Sequence, residues 1–164
     1  KIIFIGDVNI HQKPTGLELA NIAIGIAENA KKLGYKPRVA VLSYSNFGNP
    51  SGSNADTINE CLSILNTKKV DFEFDGEMTA EVALDYNLIK ENYAFCKLTG
   101  PANVLIMPDL YSANISFKLL QKMENLSVIG PIMIGGDNPF QIVQMGASVT
   151  EIVNSACIST YNSF

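Results

Sequence analysis

The clearest structural signal in the sequence is the stretch Ala102-Asn-Val-Leu-Ile-Met-Pro-Asp-Leu-Tyr-Ser-Ala-Asn-Ile-Ser-Phe-Lys-Leu-Leu-Gln-Lys-Met123. Val104 to Met107 is a short, continuous apolar run, which is typical of a strand covered by helices on both faces. Pro108 ends the run because it has no backbone N–H to donate to a sheet. A polar loop follows, and Asn114 is the predicted N-cap of the helix after it. The stretch therefore predicts a strand, a loop and a helix in succession.

The same succession recurs along the chain. Strands are predicted at Ile2–Ile5, Arg38–Ser43, Asp71–Asp75 and Ser127–Ile134, with a short one near Gln141–Val143. Helices are predicted from Thr15 to Gly34, from about Asn54, around Val82 and Ala83, and from Ser148 onward. Gly76–Met78 is predicted to be a turn, and Tyr86–Pro101 a surface excursion without periodicity. This alternation predicts an α/β fold with a doubly wound, mainly parallel sheet and helices on both faces.

Two predicted helices begin with a capping box, in which a side chain at each end of a four-residue motif satisfies a backbone N–H group. These motifs are Thr15-Gly-Leu-Glu18 and Ser148-Val-Thr-Glu151. Gly34 follows the apolar stripe of the first of these helices and is its predicted C′ residue. The box explains the glutamate in each motif without any catalytic role.

Composition excludes several classes of function. The net charge of −4, with only 12 Lys and Arg residues, argues against a nucleic-acid partner. The longest apolar run, Leu19–Ala27, is too short to cross a bilayer, and the amino terminus lacks a signal-peptide layout. The three cysteines have no framework spacing, which predicts reduced thiols and a cytoplasmic location. One histidine and scattered cysteines predict no metal site.

Four polar segments are candidates for chemistry, and each also has a structural explanation. The loop Ser43–Ser53 could cradle a phosphate with hydroxyl and N–H groups, or be an ordinary polar turn. His11 could act as a base or bind an anion, or be a solvated loop residue. Asp75-Gly76-Glu77 could place two carboxylates at a strand end, and Gly135-Gly136-Asp137 could bind a ligand. Turn formation is the favoured explanation of Asp75-Gly76-Glu77 and of Gly135-Gly136-Asp137.

A series of segments carries a family resemblance: Ser43-Tyr-Ser-Asn-Phe-Gly48, Asp75-Gly-Glu-Met78, Asn103-Val-Leu-Ile-Met-Pro108, Ala113-Asn-Ile-Ser116 and Gly130-Pro131. In this order they resemble the phosphate acetyl/butyryltransferase family. More narrowly, they resemble the phosphotransacetylase-like domain at the carboxyl end of bacterial NADP-dependent malic enzymes. The resemblance covers nearly the whole chain.

The resemblance implies a domain with two α/β lobes. Residues 1–164 would be its carboxyl-terminal portion, mostly the second lobe, and the last helix, about 148–160, would pack on the first lobe. The absence of an initial methionine agrees with this expectation. NADP and a divalent metal would belong only to an upstream malic enzyme domain, and the protein is expected to be a homo-oligomer.

The resemblance also implies a ligand, acetyl-CoA or CoA, and a set of binding residues. The residues that match the family's acetyl-CoA and phosphate positions are Ser43, Ser45, Asn46, Gly48, Asp109, Asn114, Gln144, Met145 and Gly146. Glu151 matches the carboxylate that acts as a base toward the CoA thiol in active members, and the capping box gives it a second, structural explanation.

Two departures from active transferases stand out. Active members carry Ser-Arg-Gly where this chain has Gln144-Met145-Gly146. Met145 offers neither charge nor hydrogen-bond donors, so bidentate phosphate binding by arginine is lost. The Ser-Thr-x-Gly-Ser form of active members is also replaced, at Ser45–Asn49. The single arginine, Arg38, stands at the start of its strand and is predicted to lie at the wrong end of the sheet to substitute.

Three functions are compatible with these observations. The first is a regulatory and oligomerisation module of a malic enzyme that binds acetyl-CoA and lacks transferase activity. The second is an active transferase that exchanges acetyl between CoA and phosphate. The third is a generic nucleotide-binding α/β domain, which would leave the matched motifs unexplained.

Overall fold

The computed structural model describes residues 1–48, 53–136, 138 and 140–161, with only the backbone of residues 53 and 54. The chain divides into two compact units, Lys1–Asn114 and Ile115–Phe164. The helices and strands, in chain order, are β1 Phe4–Gly6, α1 Gly16–Lys32, β2 Arg38–Leu42, α2 Ser53–Lys68, β3 Glu73–Met78, α3 Ala80–Leu84, α4 Tyr86–Asn92, β4 Val104–Ile106, α5 Leu110–Leu120 and α6 Val149–Tyr161.

The four strands form one parallel sheet in the order β1-β4-β2-β3. The connections from β1 to β2 and from β2 to β3 step in the same direction across the sheet, and the connection from β3 to β4 steps back. Because parallel crossovers are right-handed, the helices of the two directions lie on opposite faces. The predicted doubly wound α/β fold is confirmed.

Alternation along β2 separates two apolar cores in the first unit. Val39 and Val41 face the cluster formed with α1 and α2, whereas Ala40 and Leu42 face the cluster formed with α3 and α4. Successive side chains of a strand point to opposite faces, so a strand buried on both sides reads as a continuous apolar run. The sheet is therefore covered on both faces.

The ends of α1 follow the sequence prediction. The Thr15 hydroxyl accepts a hydrogen bond from the Glu18 N–H, and the Glu18 carboxylate accepts one from the Thr15 N–H, as in a capping box. Gly34 adopts a φ of +84°, the left-handed conformation that favours glycine after a helix. The stripe between these ends is fully buried at Leu19, Ala23 and Ala27.

The predicted edge strand is an edge strand, but it begins at Glu73 and ends at Met78, later at both ends than predicted. It pairs with β2 through Gly76 and Met78, so the predicted turn at Gly76–Met78 is wrong. A Cβ atom on Gly76 would lie 2.8 Å from the Val41 carbonyl oxygen, which explains how the two strands stay paired there. Carboxylates on β3 bind the segment that covers its free edge: Asp75 accepts from the Lys97 N–H at 2.7 Å.

Two further predictions of the local structure are wrong. Tyr86–Pro101 contains a helix, α4, because Asp85 caps it by accepting from two backbone N–H groups, and Leu98 is buried in the core. Asn114 is inside α5 and not its N-cap. Asp109 caps this helix instead, since its carboxylate accepts from the Ser112 N–H at 2.8 Å.

The second unit has little regular structure. Between Gln121 and Ser148 the described residues contain no strand or helix, so the strands predicted at Ser127–Ile134 and Gln141–Val143 are wrong. A strand needs a neighbouring backbone, and within the part of the chain that the structure describes no backbone pairs with these segments. The Gln141 side chain partly replaces one, because its amide accepts from the Met133 N–H at 2.9 Å and donates to its carbonyl at 3.2 Å.

The last helix begins as predicted but buries nothing. The Ser148 and Glu151 side chains form the second capping box, and α6 follows it. No residue of α6 is buried. Its packing on another lobe stays a prediction, as do the bounds of the domain.

Cysteine environments differ among the three residues, none of which forms a disulfide. Cys61 is fully buried, and burial raises the pKa of its thiol to about 12. Cys96 is partly buried, and burial raises its pKa to about 11, whereas Cys157 is exposed on α6. Across the described ranges, no helix has both the length and the apolar character to cross a membrane.

Candidate functional site

The loop after β2 is built around a buried carboxylate. Glu77, the penultimate residue of β3, is only 4% exposed, and its Oε1 accepts from the Ser45 hydroxyl at 3.1 Å and from the Gly48 N–H at 3.3 Å. The Ser43 and Ser45 hydroxyls are 3.4 Å apart. Of the four predicted ligand residues in this loop, Ser43, Ser45 and Gly48 are therefore neighbours. The Glu77 carboxylate joins Ser45 to Gly48.

Backbone contacts fix the same loop. The Phe47 N–H donates to the Glu77 carbonyl at 2.8 Å, and the Thr79 N–H donates to the Asn46 side chain at 2.8 Å. Phe47 has a φ of +50°, which is costly for a residue with a side chain. Its ring contacts the rings of Tyr93 and Phe95, with centroids 5.0 and 4.9 Å away, and these contacts help to hold it. Residues 49–52 of the predicted loop lie outside the described part.

Asp109 and Asn114 are used at a different strand end. Asp109 caps α5, while the Asn114 amide donates at 3.2 Å to both the Val8 carbonyl and the Asn9 side chain, in the loop after β1. The structure thus gives both predicted ligand residues a structural partner. No contact joins them to the β2 loop among the described residues.

His11 lies in the loop after β1 and is oriented by Asp7. The His11 Nδ1 atom is 2.7 Å from the Asp7 carboxylate, which also accepts from the N–H groups of Asn9, Ile10 and His11. Partial burial raises the pKa of Asp7, but these hydrogen bonds outweigh it and hold the pKa below its ordinary value. The loop is folded around this carboxylate whatever the role of the imidazole.

The second unit holds a shallow pocket that contains the remaining predicted residues. Its lining includes Gln144, Met145, Gly146 and Glu151, together with Gln121 on the segment after α5. The Met145 side chain is fully exposed at this pocket. Gly146 has a φ of +89°, so the turn that presents Gln144 and Met145 depends on a glycine. These four residues thus line one pocket, and their roles in ligand binding and catalysis stay predictions.

Glu151 is engaged by its own helix end. Its Oε2 accepts from the Ser148 N–H at 2.7 Å and from the Ser148 hydroxyl at 2.8 Å. These hydrogen bonds lower the pKa of the carboxyl below its ordinary value, with a smaller contribution from Lys122. A lowered pKa makes a weaker base. The geometry therefore supplies the structural explanation for Glu151 and leaves its catalytic role a prediction.

Sequence reasoning missed two lysines near this pocket. The Lys118 ammonium donates to the Gln144 side-chain oxygen at 3.4 Å, and Lys122 interacts with Glu151. The two lysines are four positions apart, with Lys118 near the end of α5 and Lys122 just beyond it. Their spacing was the signal available in the sequence. They provide positive charge beside a turn that has no arginine.

Arg38 has a structural role at the opposite end of β2 from the loop that begins at Ser43. Its Nε donates to the Pro101 carbonyl at 2.7 Å, and its side chain packs where a Cβ on Gly100 would lie, 3.1 Å away. That Arg38 does not substitute for the arginine missing at Met145 stays a prediction. Within the described residues, no group of three His, Cys, Asp or Glu side chains could hold a metal ion.

Turn formation explains the remaining glycine candidate as far as the structure describes it. Gly135 has a φ of +86° and open space where a Cβ would lie. Asp137 lies outside the described residues.

The sequence pattern of the family described as phosphate acetyl/butaryl transferase matches residues 1–160. The chain belongs to this family. Similar proteins include an NADP-dependent malic enzyme of Rhizobium meliloti (strain 1021), which is 48% identical over 162 residues. The match covers 99% of this chain and 21% of the malic enzyme. A phosphate acetyltransferase of Clostridium acetobutylicum is 35% identical over 159 residues, with 96% of this chain covering 48% of that protein.

The fold is shared with solved phosphotransacetylases. A phosphotransacetylase from Streptococcus pyogenes superposes with a TM-score of 0.90 at 31% identity, over 97% of this chain and 48% of that one. The chain thus spans about a fifth of the malic enzyme from Rhizobium meliloti and about half of the two transferases from Clostridium acetobutylicum and Streptococcus pyogenes.

Proposed function

We propose that this chain is a regulatory and oligomerisation module of an NADP-dependent malic enzyme, and that it binds acetyl-CoA without transferring the acetyl group. The oxidation of malate to pyruvate and CO2, with its NADP and divalent metal, would belong to an upstream portion of the same protein. The similarity over nearly the whole chain to a protein named NADP-dependent malic enzyme supports this assignment.

The observation that carries the proposal is the side chain of Met145. It is fully exposed at the pocket, and by the family resemblance it matches the position where active transferases have arginine. A thioether cannot neutralise the charge of an attacking phosphate or donate to it, and loss of one stabilising donor costs about a hundred- to a thousandfold in rate. The neighbouring Glu151 is held in a helix cap with a lowered pKa, which weakens it as a base.

Binding of an anionic ligand is still supported by the charges in the second unit. Lys118 bonds to Gln144, and Lys122 interacts with Glu151. Ammonium groups bind phosphates as point charges without the bidentate geometry that arginine gives. In this proposal they attract the phosphates of acetyl-CoA, and the ligand acts by binding two conformations of the malic enzyme with different affinities.

The test is to measure two activities of the full-length protein. The first is phosphate-dependent release of CoA from acetyl-CoA, and the second is malate oxidation with and without acetyl-CoA. We expect no release above background and a clear change in the rate of malate oxidation. Met145→Arg restores the missing guanidinium and should raise CoA release, whereas Met145→Leu keeps the shape and apolar character and should not.

The second candidate is an active transferase, in which acetyl-CoA and phosphate give acetyl phosphate and CoA. The two lysines are the observation that favours it, since they supply positive charge beside Gln144. Wild-type turnover well above background that is abolished by Glu151→Gln would establish this function and remove the proposal. A rate of malate oxidation that saturating acetyl-CoA does not change would also contradict the proposal of a regulatory module.

A further inference from the structure

A lysine amine borders the pocket of the second unit. The Lys118 Nζ atom donates to the Gln144 side-chain oxygen at 3.4 Å, and Gln144 and Met145 both line the pocket. In the proposed function, an attacking phosphate would need an arginine at Met145, so the acyl carbon that it would attack is expected at the same turn. The Lys118 nitrogen therefore lies one side chain away from the expected position of that carbon.

The contacts of Lys118 hold its ammonium only weakly. A distance of 3.4 Å is long for an N–H···O hydrogen bond, for which about 2.9–3.0 Å is usual, and both side chains are exposed. The second contact is with the face of the Phe117 ring, whose centre is 5.6 Å from Nζ. Because lysine has a flexible four-carbon stem, the nitrogen can leave these partners and reach a ligand at the neighbouring turn.

Two other nucleophiles near the pocket are less suited to attack. The Ser155 hydroxyl lines it, but a hydroxyl needs an adjacent general base, and the Glu151 carboxylate is engaged by its own helix end. Lys122 interacts with Glu151, and a carboxylate attracts the ammonium, whose nitrogen has no lone pair. The hydrogen-bond partner of Lys118 is instead a neutral amide.

We propose that Lys118 is a modification site that is acetylated by the acetyl-CoA bound at this pocket. The inference rests on the proposed function for the binding of that ligand. The ammonium first releases one proton to water. The amine nitrogen then attacks the thioester carbonyl, so that the N–C bond forms, the C–S bond breaks and the nitrogen gives a second proton to the departing thiolate. The products are an amide, CoA with a free thiol and one proton in solution.

Acetylation of Lys118 makes the response to acetyl-CoA self-limiting. The amide carries no charge, so the reaction removes a positive charge from beside Gln144 and Met145. In the proposed function this charge attracts the phosphates of the ligand. The modified protein therefore binds the next acetyl-CoA molecule more weakly.

The experiment is to incubate the full-length protein with acetyl-CoA that carries a deuterated acetyl group and to map the label by peptide mass spectrometry. We expect Lys118 to be labelled about tenfold faster than Lys122 and the exposed Lys13, because binding holds the thioester beside one amine. The rate should saturate with acetyl-CoA and fall when free CoA competes. S-acetyl-N-acetylcysteamine, a small thioester without a nucleotide, should label the three lysines at similar rates.

Two results of the mapping would overturn the proposal. The first is labelling of Lys118, Lys122 and Lys13 by acetyl-CoA at similar rates that rise linearly with its concentration, which is the behaviour of free amines in solution. The second is saturable labelling of Ser155 or Lys122 in place of Lys118.

Lys118→Arg and Lys118→Gln test the consequence for regulation. Arginine keeps the positive charge and stays protonated, so the response of malate oxidation to acetyl-CoA should persist through a long incubation in which that of wild type declines. Glutamine has the neutral amide of the acetylated state, and this variant should need about two- to fivefold more acetyl-CoA for half of the effect. Lys13→Arg is the matched control and should decline as wild type does. Equal declines of wild type and Lys118→Arg would contradict the self-limiting response.

Failure of this inference can be told apart from failure of the proposed function. If malate oxidation responds to acetyl-CoA and Lys118 is not labelled selectively, the modification site is wrong and the regulatory module stands. If Lys118 is labelled selectively and malate oxidation does not respond, the modification site stands and the regulatory role is wrong.

Discussion

Helices α1 and α6 begin with the same device and have opposite surroundings. Each has a hydroxyl at the N-cap and a glutamate three residues later that close a capping box. Helix α1 buries six residues against the sheet and α2, whereas α6 buries none. The comparison shows that a cap and an apolar stripe are enough to specify a helix, but burial depends on the surface available to it.

The first unit supplies that surface and the second does not. Val39, Val41, Val104 and Ile106 present a continuous apolar face to α1. In the second unit, the apolar side chains of Val149, Ile152 and Val153 remain half or more exposed. An exposed apolar helix face of this kind is compatible with the expected packing on another lobe, which stays a prediction.

The largest expected contrast is between two apolar truncations. Leu19→Ala removes a fully buried side chain of α1 and should lower the free energy of unfolding by about 2–5 kcal/mol. Ile152→Ala acts on a side chain that is 50% exposed and should cost less than about 1 kcal/mol. Urea unfolding of both variants measures the difference. Equal losses would mean that α6 has a buried interface in the protein under study.

The next contrast uses the capping hydroxyls. Thr15→Ala should lower the free energy of unfolding by about 1 kcal/mol, because α1 is part of the cooperative core and its N-cap bond is lost. Ser148→Ala removes the same bond from a helix that buries nothing, so the effect should be confined to α6. Global unfolding in urea tests the first variant, and amide hydrogen exchange of residues 149–161 tests the second. Loss of global stability in Ser148→Ala would contradict this view.

The smallest contrast is in acid. Asp7 has a lowered pKa in the folded protein, so the unfolded chain binds more protons as the pH falls below about 4. The stability it contributes is present above that pH and is lost as the pH falls through the folded pKa. Asp7→Asn should therefore weaken the pH dependence of the urea midpoint in acid. The change should be modest because the carboxyl is only partly buried.

Glu151→Gln is the partner of that variant. Its carboxyl also has a lowered pKa, but it caps an exposed helix. The acid dependence of global unfolding should be the same as in wild type, and only the fraying of α6 should change with pH. A weaker pH dependence of the urea midpoint in Glu151→Gln would contradict these roles of the two carboxylates. So would an unchanged pH dependence in Asp7→Asn.

The errors of sequence reasoning at residues 127–134 and at Asp75 and Glu77 have one physical origin. Residues 127–134 are apolar and β-branched enough to suggest a strand, yet a strand exists only when a second backbone accepts and donates its hydrogen bonds. Asp75 and Glu77 looked like a pair of catalytic carboxylates or a turn. In the structure Asp75 accepts from the Lys97 N–H, in the segment that covers the free edge of β3. Glu77 accepts from the Gly48 N–H, in the β2 loop.

The sequence by itself determined the features that depend on neighbours along the chain. The caps at Thr15 and Ser148, the glycine after α1, the buried runs of β2 and β4 and the family motifs are all local patterns, and their energies act over a few residues. Tertiary structure decided the strand order and the partners of each polar group. That a glutamate of β3 would take the donors of the β2 loop depends on two strands lying side by side, which no local pattern encodes.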